Sequence, residues 1–319
     1  MIAEIKTSTV RLPNGEDIFF RYYDGKPNTL LLLHGNMASS RFFQPFFPYL
    51  ERCRIIAPDM RGYGNSSYNK SFNSLLELAE DIAALCDELC LGQICVAGWS
   101  TGGGVALELA ALRPDIVKGV VLIDGISHRG FPVPPKDDKG KPIPGAYYKT
   151  REELVGDTRQ VGLIREAIAN CDEGALRRIF DKGIYVVKRP DDEEYAAYIH
   201  EICKQRCNDD AYWALASFNM SDEFTGINNG NRHIEMVRVP VLAFHGDKDY
   251  ICEPWQAEDN KKALGNLMEL VILENCGHAA FTDYPEEIGR RILAFMDMTI
   301  AGGTGSPRPG SRFCNTAAC

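Results

Sequence analysis

The sequence has little positive charge for its size, and this deficit limits the partners that the protein can bind. Its 35 lysine and arginine residues are outnumbered by 44 aspartate and glutamate residues, which gives a formal net charge of −9. Nucleic acids and anionic membranes require a basic protein face, because their phosphates repel an acidic one. We therefore expect neither a nucleic-acid partner nor a membrane partner.

Sequence signals of several other function classes are also missing. No two cysteines have Cys-x-x-Cys spacing, and no cysteine–histidine cluster has the spacing of a zinc site. No glycine-rich turn is followed by Gly-Lys-Ser/Thr, which excludes a P-loop. We predict no metal and no cofactor. The eleven cysteines are odd in number and scattered, so we expect them to be reduced and to pack as small hydrophobic residues.

No apolar run approaches the length of a membrane-spanning helix, and the chain does not begin with a basic stretch followed by an apolar one. These features favour a cytoplasmic location. The composition, with 45% hydrophobic and 25% charged residues, is typical of a globular protein with a sizeable core. A chain of 319 residues accommodates one large domain, or a core with a substantial insertion.

Short apolar stretches alternate with helical patterns along most of the chain. The first two stretches flank Pro13-Asn14-Gly15 and predict an antiparallel hairpin. The strand predictions cover residues 9–12, 18–22, 29–33, 54–57, 93–97, 119–123, 239–244 and 270–273. The helix predictions between them cover residues 39–50, 75–91, 105–112, 254–264 and 288–298. Strand and helix in alternation imply right-handed βαβ units and a mainly parallel sheet.

One interval breaks this alternation. Between residues 124 and 239 no clear strand appears, and helical patterns follow a loop rich in proline, lysine and glycine, at residues 151–170, 173–180, 192–204 and 210–219. We predict that residues 126–235 are a helical insertion that forms a lid. The core then comprises residues 1–125 and 236–301. Residues 302–319 are rich in glycine, proline and serine, and we expect a disordered tail there.

The most informative local pattern is Gly98-Trp99-Ser100-Thr101-Gly102. It lies between an apolar β-type stretch and a helical stretch, the context in which a serine is held at a sharp turn with its hydroxyl exposed. Glycines on both flanks avoid a steric clash in so tight a turn. The pattern predicts that Ser100 is the nucleophile of a hydrolase or an acyl-transfer enzyme.

Two later segments supply the other groups that a serine nucleophile needs. Asp249 comes shortly after the strand predicted at residues 239–244, and His278 follows the last predicted strand. Parallel-sheet proteins gather their functional loops at such strand ends. We predict that His278 is the base that takes the serine proton, and that Asp249 orients and stabilises its imidazole. Asp124, at the end of the sixth predicted strand, is the alternative for the acid role.

With these residues in place, the chain resembles an α/β-hydrolase fold protein with a helical cap, from about residue 10 to about residue 300. The motifs that carry the resemblance occur in the family's order: Leu33-His34-Gly35-Asn36 for the oxyanion loop, residues 58–66 for the turn after the fourth strand, Gly98-Trp99-Ser100-Thr101-Gly102 for the serine elbow, Gly246-x-x-Asp249 for the acid loop and Gly277-His278 for the histidine loop. The resemblance implies an α/β fold with a mainly parallel eight-stranded sheet, flanking helices and an inserted helical cap.

The resemblance also implies a function. It indicates a cofactor-independent serine hydrolase that cleaves a small to medium ester or lactone through an acyl-enzyme intermediate. The backbone N–H groups of Asn36 and Thr101 are expected to form the oxyanion hole. Trp99 either lines the substrate pocket or packs below the elbow. His128 either faces the pocket from the cap or lies in a surface loop.

Three alternatives remain at this stage. Epoxide hydrolases and haloalkane dehalogenases of the family carry an aspartate at the elbow. This chain has Ser100 at that position, which favours acyl chemistry over the reactions of those two enzyme classes. Hydrolysis of a carbon–carbon bond, as in cleavage of a dienoic diketone, would use the same serine, and so would acyl transfer to an acceptor other than water. A ligand receptor that keeps the fold and the triad differs from an enzyme only in turnover.

Overall fold

The computed structural model describes residues 4–25 and 28–301, and an eight-stranded sheet forms its centre. Along the sheet the strands have the order β1-β2-β4-β3-β5-β6-β7-β8. They are β1 (Lys6–Arg11), β2 (Asp17–Tyr23), β3 (Thr29–Leu33), β4 (Arg54–Pro58), β5 (Ile94–Trp99), β6 (Val117–Ile123), β7 (Val241–Gly246) and β8 (Met268–Leu273). Strand β2 is antiparallel to β1 and β4, and the other neighbours are parallel. The predicted fold class is confirmed.

Helices cover both faces of this sheet. They are α1 (Leu75–Glu88), α2 (Thr101–Leu112), α3 (Arg151–Val155), α4 (Val161–Ala169), α5 (Glu173–Gly183), α6 (Asp192–Ile202), α7 (Asn208–Ala216), α8 (Trp255–Leu264), α9 (Ala280–Asp283) and α10 (Pro285–Ala301). Among the described residues, no helix is both long and apolar enough to cross a bilayer.

Strand β3 is apolar at successive positions because both of its faces are covered. Successive side chains of a strand point to opposite faces, so a strand covered on both sides needs apolar residues throughout. Leu31 and Leu33 pack in the cluster that contains α1 and α2. Leu30 and Leu32 pack in the opposite cluster, with α10. The parallel strands therefore end at one edge between two cores, and the loops that follow them gather there.

The helix predicted at residues 39–50 is a 3-10 helix over Ser40–Leu50. Pro45 and Pro48 lie inside it. Proline lacks the N–H that an α-helix interior requires, and its ring clashes with the preceding turn. The segment nevertheless presents an apolar face, including Phe42 and Phe46, to the core below the sheet.

Five α-helices, α3 to α7, lie between β6 and β7. The pattern predicted as one helix at residues 151–170 divides into α3 and α4. Helix α3 ends at Val155 with Gly156 as its C-cap, and the Asp157 carboxylate then accepts hydrogen bonds from the N–H groups of Arg159 and Gln160. An aspartate that binds the backbone two and three residues ahead competes with helix continuation. This local competition explains the break.

The helical insertion is attached to the core by buried contacts. Glu201 on α6 accepts a 2.8 Å hydrogen bond from the Ser39 hydroxyl, just before the 3-10 helix. One turn away, Tyr198 stacks on Phe42 with 4.1 Å between ring centroids. These contacts place α6 directly above the loop that follows β3.

The expectation that all cysteines are reduced is wrong for two of them. A disulfide joins Cys171, at the end of α4, to Cys203, at the end of α6, across 32 residues of sequence. Their Cα atoms lie 5.2 Å apart, within the range that a disulfide spans. The pairing depends on how α4 and α6 pack together, so sequence spacing did not indicate it.

Candidate active site

Ser100 lies at a sharp turn between β5 and α2. Its φ is 54° and its ψ is −120°, a backbone conformation that non-glycine residues rarely adopt. The Ser100 N–H donates to the Ile123 carbonyl at 3.0 Å, and its carbonyl accepts from Gly103 N–H at 2.9 Å. These bonds hold the strained turn against β6 and the first turn of α2. The expected serine elbow is therefore present as a backbone geometry.

The two glycines of the elbow are required by close backbone contacts. A Cβ added to Gly98 would lie 2.1 Å from the Gly102 carbonyl oxygen. One added to Gly102 would lie 2.2 Å from the Leu33 carbonyl oxygen. Both distances are far inside van der Waals contact with backbone atoms, which cannot rotate away. The elbow, its helix and the loop after β3 consequently pack as one unit.

We predict that Gly98→Ala lowers the free energy of unfolding by at least about 3 kcal/mol, because the methyl group forces a shift of the backbone. The matched control is Gly92→Ala, just before β5, where an added Cβ meets nothing within 4 Å. That control is expected to change the stability by no more than about 0.5 kcal/mol. Urea unfolding of the three proteins measures both values. Equal stability of the two variants would contradict the assigned elbow geometry.

His278 and Asp249 form a buried, hydrogen-bonded pair at the ends of β8 and β7. The imidazole Nδ1 and the carboxylate Oδ2 are 2.7 Å apart, and each residue is only 1% exposed. The other carboxylate oxygen accepts hydrogen bonds from the N–H groups of Ile251 and Cys252 at 2.9 and 2.8 Å. Every oxygen of this carboxylate is therefore engaged, which fixes the orientation of the imidazole.

The electrostatic setting of His278 favours its protonated form. Burial of the imidazole lowers its pKa, but the charge and the hydrogen bond of Asp249 raise it, and the net effect is a pKa above the usual histidine value. A carboxylate beside one imidazole nitrogen leaves the other nitrogen to accept a proton. The pair thus has the chemical character of a general base.

The serine and the histidine loop are brought together through Trp99. Trp99 Nε1 donates to the His278 carbonyl at 2.6 Å, and the two rings lie 5.7 Å apart. Among the described residues, no hydrogen bond joins the Ser100 hydroxyl to the His278 imidazole. Such bonds are often long in a free enzyme and tighten when substrate is bound. Ser100 is 8% exposed, so its side chain retains some access from outside.

Asp124, the alternative acid, has different partners. Its side chain is fully buried and accepts hydrogen bonds from the N–H groups of Gly246 at 3.0 Å and Ala280 at 2.9 Å. Burial, together with the nearby charge of Asp249, raises the pKa of Asp124 to about 8. Asp124 thus holds the acid loop and the histidine loop together, whereas the direct imidazole contact belongs to Asp249.

One cluster has the spacing of a metal site. Ligand atoms of Asp124, His245 and Asp249 lie within 4.8 Å of one another. Those atoms are already hydrogen-bonded: His245 Nε2 donates to the Cys252 carbonyl at 2.6 Å, and both carboxylates accept backbone N–H groups. Burial lowers the pKa of His245, so it is neutral at ordinary pH. We interpret the cluster as hydrogen-bonded support for the two loops.

The two groups expected to form an oxyanion hole lie beside each other. Thr101 is the first residue of α2, where helix N–H groups point outward unpaired. The Asn36 N–H donates to the Thr101 hydroxyl at 3.3 Å, a long hydrogen bond. Gly35 lies against the serine, since a Cβ added there would be 3.0 Å from Ser100 Cβ. The loop after β3 and the start of α2 therefore converge on Ser100.

The structure places the two expected substrate-binding residues apart. Trp99 is 1% exposed and packs edge-on against Phe281, so its position is below the elbow. His128 is buried at the start of the insertion, where its Nδ1 lies 3.1 Å from Asn260 Oδ1 on α8. The His128 ring thus contacts α8, through Asn260 and Asp259.

Two residues near the site were missed by the sequence analysis. Cys252 has a fully buried thiol, and burial together with the nearby charge of Asp249 raises its pKa well above the usual value. Asp283 accepts the Gly277 N–H at 2.7 Å and the Lys188 N–H at 3.0 Å, and so connects the histidine loop to the insertion. No local motif marks either residue, because their roles depend on chain segments far away in sequence.

The fold and the site together define a class: an α/β protein with a serine at a strained elbow and a buried histidine–carboxylate pair at the adjoining strand ends. A family model described as alpha/beta hydrolase fold matches residues 28–160. The chain therefore has the α/β-hydrolase fold, and residues 28–160 are similar to members of that superfamily.

Individual relatives agree with this assignment. Lipase LipV from Mycobacterium tuberculosis is 36% identical over 104 residues, which are 33% of this chain and 40% of that lipase, so the match spans less than half of its length. The non-heme chloroperoxidase of Streptomyces lividans is 27% identical over 90% of this chain and 99% of its own. The esterase EaEST from Exiguobacterium antarcticum superposes with a TM-score of 0.70 at 20% identity, covering 91% of this chain and 99% of its own. That last likeness shows the fold alone.

Proposed function

We propose that the protein is a serine hydrolase that cleaves a small to medium carboxylic ester or lactone through an acyl-enzyme intermediate. Ser100 is the nucleophile, His278 the general base and acid, and Asp249 the residue that orients the imidazole. The observation that carries the proposal is the 2.7 Å contact between His278 Nδ1 and Asp249 Oδ2 in the loop next to the serine elbow. Fold likeness alone would not support this chemistry.

In the first step, Ser100 Oγ attacks the carbonyl carbon and its proton passes to His278 Nε2. The charge of Asp249 stabilises the imidazolium that forms. The carbonyl oxygen becomes an oxyanion, which the N–H groups of Thr101 and Asn36 would bind. Binding it requires the Asn36 N–H to leave its long bond with the Thr101 hydroxyl. The carbon–oxygen bond of the alcohol then breaks, and the leaving oxygen takes the proton from His278.

In the second step, water attacks the acyl group on Ser100. His278 removes one proton from the water and returns it to Ser100 Oγ as the acid is released. The balance is one ester and one water consumed, and one acid and one alcohol formed. Neither step requires a cofactor.

We further propose that residues 126–235 act as a lid on a core formed by residues 1–125 and 236–301. The contacts of Glu201 with Ser39, and of Tyr198 with Phe42, hold this segment over the loop after β3. A covered site excludes bulk water, which strengthens the electrostatic stabilisation of the oxyanion. The predicted tail at residues 302–319 lies outside the described residues.

The experiment that tests this function is active-site labelling with a fluorophosphonate, which phosphonylates an activated serine and releases fluoride. We expect the label on the tryptic peptide that contains Ser100, together with repeated turnover of short-chain p-nitrophenyl esters. The control is Ser100→Ala, which should take up no label. A protein that neither labels nor turns over would overturn the proposal. Labelling with at most one turnover per chain would favour the ligand-receptor alternative.

A further inference from the structure

Asn36, next to the elbow, has a fully used side-chain oxygen and an unused side-chain nitrogen. Its Oδ1 accepts hydrogen bonds from the Tyr63 hydroxyl and from Gln205 Nε2, both at 3.0 Å. Within the described part of the chain, its amide nitrogen has no hydrogen-bond partner. Asn36 is also half-buried, whereas the residues on both sides of it are buried. The amide nitrogen is therefore a donor available to a bound molecule.

Gln205, which comes from the insertion, leaves the complementary group unpaired. It is 6% exposed, and its Oε1 is buried with no partner among the described residues. An unpaired buried carbonyl is unfavourable because it has lost its hydrogen bonds to water, so native proteins keep few of them. The backbone around Gln205 is held firmly, since its own N–H donates to Ile202 and the Arg206 N–H donates to the Gly62 carbonyl at 2.8 Å. The unpaired oxygen thus belongs to a residue whose backbone is held in place, not to a loose loop.

Together these two amides, which are hydrogen-bonded to each other, offer one unpaired donor and one unpaired acceptor. A hydroxyl group donates one hydrogen bond and accepts others, so it can satisfy both. It fits either orientation of the amides, because exchanging oxygen and nitrogen in Asn36 and Gln205 together again leaves one donor and one acceptor. A carboxylate can only accept, and an alkyl chain would leave both groups unpaired. The chemistry of the pair therefore favours a neutral alcohol.

We propose that Asn36 and Gln205 form a hydroxyl-binding subsite beside Ser100, and that the preferred substrates are esters carrying a neutral hydroxyl a few bonds from the scissile carbonyl. This inference rests on the proposed ester hydrolysis and specifies its substrate class. The hydroxyl can lie in the acyl part or in the alcohol part of the ester. Each possibility is tested with its own pair of substrates.

The test compares kcat/KM within two such pairs. The acyl pair is p-nitrophenyl butyrate and p-nitrophenyl 3-hydroxybutyrate, and the alcohol pair is ethyl butyrate and 2-hydroxyethyl butyrate. We expect the wild type to prefer the hydroxylated member of one pair by about 10-fold or more, since its absence leaves polar groups buried and unpaired. Gln205→Leu is expected to bring that ratio close to one.

A matched control is available in the same insertion. Gln160 lies at the start of α4 and also has a buried Oε1 with no partner among the described residues, and its recorded backbone partner is Asp157. Gln160→Leu makes the same chemical change and should leave the substrate ratio as in the wild type. Gln205→Met provides an unbranched replacement if the leucine variant does not fold.

Each outcome of this comparison either supports or overturns the hydroxyl-binding subsite. A wild type that labels at Ser100 but shows no preference in either pair overturns the subsite and leaves the esterase proposal intact. A preference that persists in folded Gln205→Leu or Gln205→Met also overturns it. Loss of the preference in these variants, with the Gln160→Leu ratio unchanged, supports it. A wild type with neither labelling nor turnover overturns the proposed function, and the subsite with it.

Discussion

Ser100→Ala is expected to lower kcat for p-nitrophenyl esters by about 10⁵- to 10⁶-fold, the loss usual when the nucleophile of a serine triad is removed. The reason is that the remaining groups can bind the ester and its oxyanion but cannot form the acyl-enzyme. The variant should fold normally, because alanine accommodates the positive φ of this position about as well as serine does. Steady-state assays at substrate concentrations above KM measure the effect.

The matched control for this variant is Ser127→Ala, which removes another buried serine hydroxyl. Ser127 follows β6, and its hydroxyl donates to the Asp259 carboxylate on α8 at 2.5 Å. Its replacement is expected to cost some stability and to leave kcat within a few-fold of the wild type. If Ser100→Ala retained most of the wild-type kcat, the covalent mechanism would have to be abandoned.

Asp249→Asn is expected to lower kcat by about 10⁴-fold, as when a triad carboxylate becomes an amide. Asparagine cannot stabilise the imidazolium and favours the wrong tautomer of His278. The pH profile should change as well. Because Asp249 raises the pKa of His278, its removal should shift the acid limb of the kcat profile to lower pH. Single-turnover and steady-state rates between pH 5 and 9 measure both effects.

Asp124→Asn is the matched variant that distinguishes the two carboxylates. It should reduce kcat by no more than about 10-fold, because Asp124 contacts the loops and not the imidazole Nδ1. Burial and the charge of Asp249 raise the pKa of Asp124 to about 8, so its contribution to stability is present at low pH and is lost as the pH rises towards 8. Unfolding measurements should therefore show the wild type losing more stability than Asp124→Asn between pH 5 and 9. A kcat as low as that of Asp249→Asn would transfer the acid role to Asp124.

Much of the core could be predicted because each of its signals is local. A strand covered on both faces needs apolar residues at successive positions, as in Thr29–Leu33, and the tight turn at Ser100 needs glycine at Gly98 and Gly102. The hydrogen bond between His278 and Asp249 was inferred from the order of two strand-end loops. Their catalytic roles stay predictions until the variants above are measured.

The insertion was far less predictable because its important contacts join distant segments. Gln205 and Asn36 are 169 residues apart in sequence, and nothing near Gln205 marks it as part of a site. The Cys171–Cys203 disulfide depends in the same way on the packing of α4 and α6. The helix predicted at residues 39–50 is present at Ser40–Leu50, and its 3-10 form is consistent with Pro45 and Pro48, which disfavour an α-helix.

The Asp283 carboxylate links the loop that carries His278 to the insertion. One of its oxygens accepts from Gly277, beside the proposed base, and the other accepts from Lys188 in the insertion. Displacing residue 188 removes one hydrogen bond from this carboxylate and changes the restraint on the loop that carries His278. Such a coupling free energy is reciprocal. A ligand that orders the histidine loop would therefore favour the docked position of the insertion by the same amount as docking favours binding of that ligand.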